Sequence, residues 1–159
     1  MRLLTKVATA AAALITVAAG GAGLAPASAA PDSGPVFFSA GSLNCSITDD
    51  GVVGCDLTNP APMSIEIGGM SLSVPFNVRE VLIDVPWAPA HPGLGIGTPH
   101  TLPQGNPPID KVGHPVGSGA MAGSEVDRGG SSCKTGFHGA VYCTGMGHGF
   151  SYYELIQAQ

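Results

Sequence analysis

Five histidines and four cysteines are the residues of this 159-residue chain best suited to metal, redox or nucleophile-activating chemistry. His91, His100 and His114 each adjoin a proline, whose ring restricts the neighbouring backbone; His138 and His148 lie among glycines. None has the HExxH spacing of a helical zinc site, and none pairs with cysteine at zinc-finger spacing. Folding could gather several of them around zinc or copper. The expectation is instead imidazoles that are exposed or locally hydrogen-bonded, with no metal and no cofactor. The cysteines lack a C-x-x-C pair, so a thioredoxin-like redox role is not expected either.

Signals for nucleophilic or acid–base catalysis are equally thin. Ser118, in Gly117-Ser118-Gly119, is the nearest approach to a G-x-S-x-G elbow. Asp84, Asp110, Glu125 and Asp127 could partner the histidines only if the fold assembles them. Asp49-Asp50 reads as a turn, because aspartate side chains bond their own backbone. Gly93-Leu94-Gly95-Ile96-Gly97 follows Pro92 and opens no helix, so it lacks the setting of a phosphate-binding loop. Gly145-Met146-Gly147-His148-Gly149 reads as a bulged entry into a strand.

The elements that must position these residues begin with the cysteines. Residues 45–55 read CSITDDGVVGC and residues 133–143 read CKTGFHGAVYC, one C-x5-G-x-V-x-C pattern twice. In each, three residues ending in glycine fit a type I turn closed by a left-handed residue: Asp49-Asp50-Gly51 and Phe137-His138-Gly139. Counting outward pairs Thr48 with Val52, Ile47 with Val53 and Cys45 with Cys55, and likewise Cys133 with Cys143. Such pairs fall at non-hydrogen-bonded positions, where Cα atoms approach to about 4.5 Å, within disulfide reach. The spacing therefore favours Cys45–Cys55 and Cys133–Cys143 over the two cross-connected patterns. It also puts His138 at an exposed turn apex.

Other strands follow from period-two alternation. Val36-Phe37-Phe38 leads into the first hairpin. Residues 64–67 and 70–74 flank a Gly68-Gly69 turn as a further hairpin. Residues 78–85, VREVLIDV, read as a strand with a short helix as the alternative, and 150–156, FSYYELI, as the last strand. Residues 86–130 are rich in proline and glycine and read as one long irregular loop. Trp87, the only tryptophan, is expected to plug the core beneath that loop. The alternative is a ligand-stacking aromatic; a patch of Trp87 with Tyr152 and Tyr153 would instead mark a partner surface. The fold class is all-β: a small disulfide-stapled antiparallel sandwich or open barrel.

Residues 1–29 have the parts of a secretory signal: Arg2 and Lys6, an apolar stretch from Val7 to Leu24, and Ala27-Ser28-Ala29 for cleavage after Ala29. That leaves residues 30–159 as a single secreted domain with no membrane span. Without Arg2 and Lys6 the formal charge falls from −5 to −7, which argues against nucleic acid and anionic lipid as partners. Four cysteines after such a leader suit an oxidising compartment.

The stretches FFSAGSLNCSITDDGVVGC and CKTGFHGAVYCTGMGHGF together resemble a family of small exported actinobacterial proteins of unknown function. There, an aromatic-Ser pair leads through glycine to a cysteine hairpin, and a second cysteine hairpin is followed by G-H-G-F. Leu102-Pro103-Gln104-Gly105 resembles a Leu-Pro-x-Gly turn of the family. This chain has Ala40 where proline is common, and one extra residue between Gly139 and Val141. The resemblance implies fold and compartment and brings no catalytic residues. The function expected is a secreted or cell-envelope-associated, non-catalytic interaction module with an envelope or protein partner. A small exported hydrolase or a metal-binding protein using His and Asp of the long loop is the alternative.

Overall fold

The structure, a computed structural model, describes residues 34–159, so the expected signal segment lies outside the described residues. The chain is all-β and forms two sheets. Strands β1 (Val36–Ala40), β2 (Leu43–Ile47), β3 (Val53–Ala61), β6 (Val78–Ile83) and β7 (His91–Pro92) form an antiparallel sheet in that spatial order. The other sheet runs β5 (Met70–Ser73), β4 (Met63–Ile67), β13 (Ile156–Ala158), β12 (His148–Tyr152), β11 (Val141–Gly145), β10 (Ser131–Thr135), β9 (Gly123–Arg128), β8 (His114–Val116). Among the described residues there is one α-helix, the short α1 (Ile109–Val112), which buries Ile109. No described helix is long and apolar enough to cross a membrane.

The chain passes between sheets at Pro60-Ala61-Pro62, where the β3–β6 register shifts after Asp56 and β4 begins at Met63. Proline cannot continue a ladder, so the corner falls where β3 must leave its sheet. One departure from an antiparallel sandwich follows. β4 meets β13 in parallel, Met63 opposite Ile156, because these strands come from opposite ends of the chain rather than from a hairpin.

Alternation sends one face of each sheet into a shared core. Phe38, Leu43, Ile47, Val53, Val81 and Ile83 from one sheet join Val126, Val141, Phe150 and Ile156 from the other. Both disulfides lie in this core. Cys45 is bonded to Cys55 and Cys133 to Cys143, with Cα separations of 4.0 and 4.1 Å and all four residues fully buried. The register agrees with the count from the glycines: Ile47 faces Val53, and Thr135 faces Val141.

The turns, however, are not twins. Gly51 alone is left-handed in the first, whereas both His138 (φ 55°) and Gly139 (φ 79°) are left-handed in the second. Three further expectations are corrected. Residues 86–130 are not one irregular loop: the six-residue β9 pairs with β10 through four of its residues, with Val126 opposite Cys133, and β8 extends the sheet. Their polar outer residues hide a strand whose buried contribution is mainly Val126. The last strand breaks at Tyr153–Leu155 into β12 and β13, which fold back on each other. Trp87 does not plug the core; it is 81% exposed.

Candidate functional site

The outer face of the five-stranded sheet is polar, yet it is buried. With Cys45, Cys55 and Val81 turned inward, their neighbours Ser46, Gly54, Asp56 and Glu80 point the other way. Asp56 and Glu80 are direct register partners across β3 and β6, a position where like charges repel. They are only 4% and 7% exposed, so each needs strong partners.

The loop after β7 supplies them. The Gly95 N–H donates to Glu80 Oε2 at 2.9 Å, and the Gly93 N–H to the Glu80 carbonyl at 2.9 Å. Asp56 Oδ2 accepts from the His100 N–H at 2.9 Å and from the Thr101 hydroxyl at 2.7 Å. The His100 ring bridges the remaining groups, with Nδ1 2.8 Å from Ser46 Oγ and Nε2 3.3 Å from Glu80 Oε1. Two glycines make room. A Cβ on Gly54 would overlap the His100 ring, and one on Gly93 would overlap the Glu80 carboxylate.

Asn106 fastens the loop to the sheet. Its Nδ2 lies within hydrogen-bond distance of the carbonyls of Phe38, Cys45 and His100, and its Oδ1 accepts from the Leu102 N–H. The Ser39 N–H donates to Pro107 O at 2.8 Å. The loop is therefore a roof with its own polar ceiling.

Of the loop histidines, only His100 enters this network. His91 Nε2 meets Asp84 Oδ1 at 2.9 Å, a pair about one-third exposed, and His114 is exposed on β8. His138 is exposed at its turn, and His148 Nε2 donates to Pro86 O at 3.1 Å. Ser46, His100 and Glu80 align as hydroxyl, imidazole and carboxylate, but Ser46 is 5% exposed, too enclosed to meet a substrate. Among the described residues, Asp56, Glu80 and His100 are the set that could hold a metal: one donor atom from each lies within 4.8 Å of the others.

A second polar cluster ties the two stapled hairpins together. Arg128 Nη1 donates to Asp49 Oδ1 at 2.8 Å and to Gly34 O at 2.7 Å, while the Gly34 N–H donates to Asp49 Oδ2 at 2.7 Å. The Arg128 hydrogen bond first, then that of Gly34, hold the Asp49 carboxyl below its usual range. Ser131 donates to the Gly51 carbonyl at 2.6 Å.

Of the residues considered as a partner surface, Trp87 stands apart from Tyr152 and Tyr153, which line one groove. Trp87 follows Pro86, whose carbonyl sits at the His148 end of β12, while Tyr152 ends that strand about 13 Å away. Tyr152 is half-buried, with its hydroxyl 2.9 Å from Ser42 Oγ. Tyr153 is 59% exposed, and with Tyr152, Tyr142 and Leu155 it lines a groove of about 330 Å³.

Sequence reasoning singled out His100 but not Ser46, Asp56 or Glu80. A signal for them existed. Each lies next to a residue fixed inward, either a stapled cysteine or Val81, so period two sends it to the opposite face. No protein-family model, curated protein or solved structure matches the chain.

Proposed function

We propose that this chain is a secreted or cell-envelope-associated, non-catalytic interaction module that binds an extended segment of a protein partner along β5. The leader-like residues 1–29 and two disulfides in a small domain support the compartment. The binding mode rests on one observation: among the described residues, β5 is the sheet edge left unguarded.

The other edges are blunted in ways that natural sheets use against strand addition. β1 is covered by the loop at Pro107–Pro108, β7 is two residues long and contains Pro92, and β8 is three residues long and contains Pro115. β5, reading Met70-Ser71-Leu72-Ser73, has neither proline nor charge. Its apolar side continues the core face outward: Ile65 faces Leu72 and Ile67 faces Met70, with Ile67, Met70 and Leu72 exposed by 48%, 65% and 51%. A strand added there gains main-chain hydrogen bonds, and its alternate apolar side chains gain a surface to cover.

Selection of displayed peptides on the mature chain tests this. Selected peptides should alternate apolar and polar residues and lose binding to Ser71→Pro. In a two-residue hairpin closed by Ile67 and Met70, Ser71 presents its N–H outward, and proline removes it. Peptides indifferent to Ser71→Pro but lost in Trp87→Ala would move the function to the tryptophan. N-terminal sequencing of protein recovered from culture medium should begin at Ala30.

A further inference from the structure

We propose that Asp56, Glu80 and His100 form a binding site for one divalent transition-metal cation, zinc being the ion whose donor preferences fit best. The site is independent of the β5 edge and lies under the loop on the opposite sheet.

The argument is how each donor residue is held. Each has one polar atom tied to the scaffold and one turned into the cluster, where His100 Nε2 and Glu80 Oε1 meet each other at 3.3 Å. His100 Nδ1 is engaged by Ser46 Oγ, leaving Nε2. Glu80 Oε2 is engaged by the Gly95 N–H, leaving Oε1. Asp56 Oδ2 takes both hydrogen bonds that the loop offers it. Its Oδ1 receives none from any described residue and is not sealed from solvent, although the residue as a whole is only 4% exposed. That oxygen is open to a cation or a water while its neighbour holds the carboxylate in place.

This is the arrangement of metal sites, where outer hydrogen bonds fix the ring orientation and the carboxylate rotamers while the inner atoms converge. The separations agree. His100 Nε2 and Glu80 Oε1 are 3.3 Å apart. Two ligands of a tetrahedral zinc at about 2.0–2.1 Å would stand about 3.4 Å apart. One imidazole and two carboxylates suit zinc, with a fourth position left for water. A cation between Asp56 and Glu80 would also remove the repulsion of two carboxylates placed opposite each other. The Gly54 and Gly93 vacancies allow the ring and the carboxylate to sit so close to the strands.

The test is calorimetric titration of zinc into the mature chain, with both disulfides intact and no histidine tag. One site per chain is expected. His100→Ala and Glu80→Gln should each weaken it by roughly 100-fold or more, and Ser46→Ala by about tenfold through loss of the ring's anchor. His91→Ala and His114→Ala should leave it unchanged. Where His100→Ala or Glu80→Gln fails to fold by near-ultraviolet circular dichroism, Ser46→Ala decides, together with a zinc-induced rise in the wild-type melting temperature. No zinc site in the wild type overturns the proposal. So does affinity within twofold of wild type in the folded site variants, or loss of the site in His91→Ala.

Discussion

The two stapled hairpins share a frame and differ in everything attached to it. Both close a cysteine pair over the same separation, and in both the sulfurs face the core. On the outer face the residues flanking the cysteines diverge. Ser46, Gly54 and Asp56 in the first hairpin occupy the positions of Lys134, Tyr142 and Thr144 in the second. The first set is small or acidic and is roofed by the loop that carries His100. The second carries no carboxylate and is open to solvent. The turns diverge in the same sense: Gly51 is pressed against the Gly129 backbone, while nothing lies near the Cβ position of Gly139. A covalent frame can thus be repeated while its outer face is given to a buried site in one copy and to surface in the other.

That comparison can be broken first at the staples. Replacing either cysteine pair by alanine should lower stability by about 3 kcal/mol, with the two losses within about 1 kcal/mol of each other, because both rings are the same size. Urea unfolding measures both, and a much larger loss in one pair would show that the frames are not equivalent. The turn glycines should separate the copies. Gly51→Ala combines a left-handed backbone with overlap of the Gly129 carbonyl and should cost about 2–3 kcal/mol; Gly139→Ala meets only the backbone strain, about 1 kcal/mol. Equal losses would contradict the docked and free assignments.

A smaller effect is expected on the outer faces. Gly54→Ala displaces the His100 ring and should cost about 2 kcal/mol, with faster amide exchange across residues 93–108. Tyr142→Ala at the matching position should stay within about 1 kcal/mol and change no exchange in that loop. The smallest effect is electrostatic. The hydrogen bonds from Arg128 and Gly34 hold the folded Asp49 carboxyl below the ordinary aspartate range, so its clamp on Arg128 is fully present above pH 3.8. It is lost as pH falls through the lowered folded value. Asp49→Asn should therefore flatten acid unfolding below pH 3.8, whereas no substitution in the second turn should do so.

The stapled hairpins were legible in sequence because cysteines and glycines at fixed spacing leave few registers to choose from. Gly68-Gly69 worked the same way for β4 and β5, both glycines adopting positive φ. β9 was hidden because a strand recruited by β10 needs little apolar character of its own. Trp87 was misplaced because large aromatics are buried on average, and this one stands at a loop start with nothing over it. The site was half-legible. His100 was visible as a residue, but Asp56 and Glu80 reach it across 44 and 20 positions, through a loop whose path depends on Asn106 meeting three carbonyls.

The claim that one outer face is a built site and the other is surface is tested most directly by zinc-edge anomalous diffraction from a crystal of residues 30–159 grown with zinc. The expected result is a single full-occupancy peak within about 2.0–2.2 Å of His100 Nε2 and of carboxylate oxygens of Asp56 and Glu80. His100 Nε2 bonded directly to Glu80 with no peak between them, or zinc found only at His91 or on the second hairpin, would contradict it.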